Sequence, residues 1–292
     1  MGGPRRAAFP PPSTAPADRA IMPHMADASI RVLVSGTGRM GRTIIDALDA
    51  TDDMLPVGAV DALTASSTLT TASGMALAVY SDPATAIEAT EPQVIVDFTN
   101  AAWTPLLADA ALARGVRLVI GTTGLSEEWV DGLRQRCQAA GIGAVLAANF
   151  AIGAVLMMHM AKLAAPFFDA AEIIELHHDK KVDAPSGTSL ATARAMLAAR
   201  GGKPFAHNDP DAEPVPGGRG AELGGIGLHS IRLPGLVAHQ EVIFGGLGQT
   251  LSIRHDTTGR DSFMPGVLLA VREVMRRREL VVGLDALIGL AA

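Results

Sequence analysis

Ile30-Arg-Val-Leu-Val34 is a short β-branched run that leads into the glycines of Gly36-Thr-Gly38-Arg-Met-Gly41, and Met40 to Ala50 then has the spacing of a helix. A strand, a G-x-G-x-x-G turn and a helix in that order form the opening βα unit of a parallel sheet, which excludes most other architectures. The rhythm continues downstream. Leu55–Val60, Val94–Phe98, Arg117–Ile120 and Gly143–Ala147 read as further buried strands, separated by helices over Thr104–Arg114 and Ser126–Ala140. Ser126 sits where an N-cap belongs, with Glu127 and Glu128 in the first turn to favour the helix dipole. Alternation at this spacing requires right-handed crossovers on a parallel sheet.

After about Phe150 the pattern changes. A Met-rich helix (Ile152–Ala165) leads to a strand (Glu172–Leu176), a polar loop and a helix (Ser186–Arg200). Residues 201–224, rich in Gly and Pro, read as a long loop. Three strand-like runs follow over Gly227–Leu233, Leu236–Phe244 and Gln249–Thr257, and a last helix covers Met264–Arg277. Pro234-Gly235 offers a tight turn, so the first two of these strands are expected to be antiparallel. The fold class expected is α/β: a Rossmann-type parallel sheet domain from residue 29 to 150, followed by an α+β domain over 151–261. Residues 1–28 are proline-rich and aperiodic, and read as a disordered tail or as a start assigned too early, ahead of Met22 or Met25. Arg5-Arg6 has no apolar segment behind it, which argues against a twin-arginine signal; Arg and Ser with few acids leave a transit peptide open.

Composition narrows the function. Hydrophobic residues are 48% and charged ones 18% of 292, enough apolar material for a packed core and too little charge for a disordered chain. The formal net charge of −6 comes without any basic block, which disfavours nucleic acid as a partner. The longest apolar run, Phe150 to Met158, is too short for a membrane span. Cys137 is the single cysteine and has no partner for an internal disulfide, so a cytoplasmic, reducing compartment is expected.

The glycine loop offers a tight turn, close backbone approach and a free helix N-terminus to a pyrophosphate, with Arg39 and Arg42 at hand; a plain structural turn is the competing reading. Asp61 strengthens the first. It falls 20 residues after Gly41 (61 − 41) at the end of the second strand, where a carboxylate accepts hydrogen bonds from a ribose. Ala62, Leu63 and Thr64 bring no cation for a 2′-phosphate, so NADH is expected to be preferred, with NADPH use possible through Arg39 or Arg42. Open parallel sheets bind ligands at the carboxyl ends of their strands, which adds the segments Asp97-Phe98-Thr99, Gly121-Thr122-Thr123-Gly124 and Ala147-Ala148-Asn149-Phe150. Each is also ordinary turn chemistry.

The second cluster, Glu175-Leu-His-His-Asp-Lys-Lys-Val-Asp-Ala-Pro-Ser-Gly-Thr188, puts two histidines and two lysines after a strand in a weakly charged region. Neighbouring histidines on a strand face opposite ways and no Cys or spaced His joins them, so no metal is expected. A solvated charged loop is the plainer alternative. Against it, Ser186-Gly187-Thr188 opens a helix and can cradle an anion, with Lys181 as a point charge and His177 or Lys181 as proton donor.

This stretch closely resembles the signature of the 4-hydroxy-tetrahydrodipicolinate (dihydrodipicolinate) reductases, and the Gly-Arg-Met-Gly-Arg, Asp-Phe-Thr, Gly-Thr-Thr-Gly and Ala-Asn-Phe segments recur in that family in the same order. The resemblance spans about Ile30 to Val274. It implies hydride transfer from NAD(P)H to a cyclic dicarboxylate, giving tetrahydrodipicolinate and water in lysine and diaminopimelate biosynthesis. It implies His177 as acid/base residue and Lys181 as proton donor, with His178, Gly187, Thr188 and Thr123 on the substrate. Ser35, Gly36, Thr37, Gly38, Arg39, Met40, Gly41, Asp61, Thr99, Gly121, Thr122, Thr123, Ala147, Ala148, Asn149 and Phe150 would line the cofactor. It also implies a last helix that returns to the first domain, so that 262–292 join 29–150, and a homotetramer joined through second-domain sheets. The sequence departs from the family pattern in a glycine loop one residue shorter than in many members, and in Ala62 and Asn100 where some carry basic residues. Two other readings compete: an NAD(P)-dependent amino-acid dehydrogenase on the same plan, and a non-catalytic dinucleotide sensor. Neither needs the residues from His177 to Thr188.

Overall fold

A computed structural model describes residues 29–207 and 209–290; the proline-rich stretch 1–28, read above as a tail, lies outside the described residues. The chain runs β1 (Ile30–Ser35), α1 (Arg39–Asp49), β2 (Met54–Val60), β3 (Thr68–Thr70), β4 (Ala76–Tyr80), α2 (Pro83–Thr90), β5 (Val94–Asp97), α3 (Thr104–Ala113), β6 (Arg117–Ile120), α4 (Glu127–Ala140) and β7 (Ala144–Leu146). It continues with α5 (Ile152–Ala164), β8 (Ala170–His177), α6 (Gly187–Ala199), β9 (Ala221–Leu223), β10 (Ile226–Arg232), β11 (Ala238–Gly246), β12 (Gln249–Thr257), α7 (Met264–Val274) and β13 (Leu280–Val282).

The first sheet has the order β13-β7-β6-β5-β1-β2-β4-β3, parallel except for the β3 edge. Its strands are apolar on both faces because both are covered. Val32 and Val34, Val94 and Val96, Val119 and Val145 face one core, shared with Ile44, Ile45 and Leu48 of α1 and with Val267, Ala270, Val271 and Val274 of α7. The alternate residues Leu33, Ile95, Leu118 and Ile120 face the other, against Ile87 of α2, Leu107 of α3 and Leu133 and Cys137 of α4. α7 therefore returns from the far end of the chain to lie beside α1, and Arg272 pairs with Asp53 at 2.7 Å. Asp82 and Ser126 cap α2 and α4.

The second sheet has the order β12-β11-β8-β10-β9. The expected antiparallel direction holds here, with a strand inserted. The strands flanking Pro234-Gly235 do run in opposite directions, yet they do not pair with each other: β8 lies between them, parallel to β10 and antiparallel to β11. The hairpin is instead β11–β12. The glycine-rich stretch after α6 ends in the short strand β9. One sheet face packs on α5 and α6 through Ile173, Val242, Phe244, Leu228, Ala193 and Met196. The other carries the half-buried Ile174, Leu176 and Ile243 and the exposed Ile231.

Candidate active site

β1 and β5 are neighbours at the point where the strand order reverses, so the loops after them open into one crevice. Gly36 there has φ +90°, and a Cβ on Gly41 would lie 1.9 Å from the Gly36 carbonyl oxygen, so the turn itself demands both glycines. Gly38 is different. A Cβ there would meet nothing within 4 Å, and no side chain caps the N-terminus of α1. The first turn of the helix is thus open towards a space that no atom of the described residues fills, the geometry an anion needs. Thr37, Arg39, Arg42 and Arg260 line the same cleft.

Asp61 holds this loop as well as facing it. One carboxylate oxygen accepts hydrogen bonds from the Thr37 N–H (2.8 Å) and hydroxyl (2.6 Å), and the other accepts from the Leu63 N–H (2.9 Å). Burial works to raise the Asp61 pKa, but the bonds from Thr37, Leu63 and Thr64 outweigh it and keep the carboxyl below its ordinary range. It borders a cavity of about 370 Å³ with Gly36, Thr99, Asn100 and Trp103. An uncapped helix end beside arginines, next to an ionised carboxylate on a cavity, is a donor set that fits a dinucleotide.

Other residues expected at the cofactor are bonded within the protein. Asp97 is fully buried and accepts from the hydroxyls of Thr99 (2.7 Å), Thr104 (2.5 Å) and Thr122 (3.1 Å). The Thr99 and Thr122 hydroxyls are thus committed to Asp97, and the Thr99 N–H donates to Thr122 Oγ1 at 3.1 Å. Ser35 is buried and accepts from Trp103 Nε1 at 2.9 Å. The Phe150 ring is buried against Phe98, centroids 5.0 Å apart, and Met40 packs on the core. Thr123 is exposed.

A second, narrower cleft lies between the two sheets. Asn149, Ala154 and Met157 meet His177, Ser186 and Thr188 there, with Gln240, His255 and Phe263 on the far wall. Ser186 caps α6 by accepting from the Ser189 N–H (3.2 Å). Buried bonds from Ser189 to Gln240 (3.0 Å) and from Gln240 to Thr192 (2.8 Å) fix that helix end on β11. Gly187 and Thr188 are left in its first turn, and a Cβ on Gly187 would meet nothing within 4 Å. His177 Nδ1 is bonded to the buried Glu175 carboxylate, which Arg232 grips with both terminal nitrogens at 2.9 and 2.7 Å. Burial pulls the His177 pKa below its usual value; Glu175 opposes this, while Lys181 and Arg232 add to it.

His177, Thr188 and Asn149 thus converge, whereas two other expected residues stand apart. His178 is exposed beyond the end of β8, and Lys181 pairs with Asp183 at 2.7 Å on the loop. Sequence reasoning missed Trp103, Arg232, Gln240, His255 and Arg260. Alternation along β8, β11 and β12 carried a signal for Gln240 and His255, but Arg260 reaches the glycine loop only because α7 returns to α1. Among the described residues no group of acidic, His and Cys side chains is arranged to hold a metal ion, and no helix is long and apolar enough to cross a membrane.

Residues 30–150 match the family model described as dihydrodipicolinate reductase, N-terminus, and residues 153–288 its C-terminal counterpart. The 4-hydroxy-tetrahydrodipicolinate reductase of Moorella thermoacetica is 50% identical over 265 residues, 89% of this chain and 98% of the relative. The dipicolinate-bound dihydrodipicolinate reductase from Paenisporosarcina sp. TG-14 superposes with a TM-score of 0.80 at 38% identity, covering 88% of this chain and 99% of that one. An amine dehydrogenase from Mycobacterium smegmatis shares the fold, with a TM-score of 0.63 at 15% identity over 90% of this chain and 97% of its own.

Proposed function

The chain belongs to the dihydrodipicolinate reductase family, and from that premise we propose that it reduces 4-hydroxy-tetrahydrodipicolinate to tetrahydrodipicolinate, with release of water, in lysine and diaminopimelate biosynthesis. The observation that carries this reading is the convergence of His177, Asn149 and Thr188, in the first turn of α6, in one cleft between the sheets. A nicotinamide cofactor supplies the hydride. The chain's own residues do the rest. Gly36 to Gly41 and Asp61 hold the dinucleotide, Gly187 and Thr188 receive a substrate carboxylate, Lys181 counters the remaining charge, and His178 contacts the substrate. His177 or Lys181 delivers the proton that the reduced ring requires. Lys181 must leave Asp183 to reach the substrate, an exchange of one carboxylate partner for another.

The domains in this reading are 29–150 with 262–292 for the cofactor, and 151–261 for substrate and assembly. The half-buried apolar residues Ile174, Leu176 and Ile243 on the outer sheet face support assembly as a homotetramer through that face. The buried thiol of Cys137 fits a reducing, cytoplasmic setting.

NADH is the preferred cofactor, because an ionised Asp61 repels a 2′-phosphate and the following Ala62 and Leu63 carry no charge. Asp61→Ala is expected to raise the KM for NADH by about 10-fold or more, the loss of a charged hydrogen bond worth about 1.5–3 kcal/mol, and to narrow the gap to NADPH. Initial rates with both cofactors check this. An unchanged NADH to NADPH ratio would mean that Asp61 serves the loop alone.

A further inference from the structure

Glu175 is a carboxylate with 1% of its surface exposed, and the chemistry described so far gives it no part. Its bonding is unusually rich for a residue at a strand end. One oxygen meets His177 Nδ1 and Arg232 Nη1 (2.9 Å); the other accepts from Arg232 Nη2 (2.7 Å) and from the Ser186 N–H (3.3 Å). Arg232 also donates to the Asp183 carbonyl at 2.6 Å. The carboxylate therefore joins both ends of the 178–186 loop: His177 where it leaves β8, and Ser186 where it enters α6. Lys181 lies between those two points.

Resting on the reading above, we propose that Glu175, locked by Arg232, is the positioning residue of the active site. It keeps the proton of His177 on Nδ1, presents Nε2 to the cleft, and holds the Lys181 loop in register with the anion-binding end of α6. The two ring nitrogens of a neutral histidine differ only in which carries the proton, and the partner of one decides the role of the other. Bidentate clamping by a guanidinium holds the accepting carboxylate in one orientation. His177 Nε2 has no hydrogen-bond partner among the described residues, and His177 borders the cleft. The titratable and charged groups around His177 are Glu175 on its own strand, Arg232 on β10, Lys181 on the loop, and His239 and His255 across the cleft on β11 and β12.

Glu175→Gln tests this in the full chain. The amide keeps the shape, removes the charge and can meet either ring tautomer. The expected result is a kcat about 10²-fold lower, the lower end of what positioned acid/base groups contribute, with the KM for NADH unchanged. The limb of the pH profile that titrates His177 moves to lower pH, because the carboxylate that favours the imidazolium is gone. ¹⁵N NMR of the His177 imidazole is expected to show the Nδ1–H tautomer in the wild type and a mixture in the variant. If the lone Arg232 charge prevents folding, Glu175→Gln/Arg232→Gln restores neutrality and is measured instead. A lower Tm with kcat, pH limb and tautomer unmoved would reduce Glu175 to a structural ion pair and overturn the proposal. The tautomer does not depend on turnover, so an inactive wild type would defeat the reductase reading while the NMR still decided the position of Glu175.

Discussion

Lys181→Ala is expected to lower kcat by about 10²–10⁴-fold, the range for a lost proton donor, while leaving NADH affinity unchanged. The reason is location. Lys181 lies on the loop between β8 and α6, bonded to Asp183, and does not line the cleft around the glycine loop. On the proposed reading, its removal takes charge and a proton from the substrate side alone. Because the side chain is partly exposed and its ion pair is with an exposed partner, stability should hardly change. Steady-state kinetics with a direct NADH titration separate the two effects. A kcat near the wild-type value would remove Lys181 from the chemistry and leave His177 as the sole donor.

Gly38→Val is expected to fold normally and yet to bind NADH about 10–100-fold more weakly, the loss of a charged hydrogen bond or two. Among the described residues no atom outside the neighbouring two positions lies within 4 Å of the Cβ that the substitution introduces, so the branch point itself displaces nothing of the fold. Gly41 provides the contrast, since a Cβ there would collide with the Gly36 carbonyl and disturb the turn itself. Thermal melts and NADH fluorescence titration check both halves of this expectation. Undiminished NADH binding by a folded Gly38→Val would show that the opening at α1 is not the pyrophosphate site.

The parallel core was legible because its strands are continuous β-branched runs and its helices carry explicit signals, such as Ser126 ahead of α4. What escaped notice was short or borrowed its stability from afar. β3 buries a single residue, Leu69, and is a three-residue edge of Thr and Leu that no period can identify. β13 is equally short and exists because β7 offers it a parallel partner from far along the chain. α2 did carry a cue, Asp82 followed by Pro83, but its Ala- and Thr-rich body has little amphipathic contrast. Pro234-Gly235 marked the change of direction but not the pairing, because a turn shows that the chain reverses and says nothing of a third strand lying between. In the site, motif reading reached the residues next to each other in sequence. Arg232 faces Glu175 only through the pairing of β10 with β8, and Arg260 faces the glycine loop only through α7. Those are tertiary facts.

The most direct test of the central assignment is the initial rate of NADH and NADPH oxidation by the full chain, with substrate generated in situ from pyruvate and aspartate semialdehyde by the preceding enzyme of the pathway. The expected result is substrate-dependent oxidation, faster with NADH than with NADPH. No oxidation with either cofactor, by protein that demonstrably binds NADH, would contradict the reductase assignment.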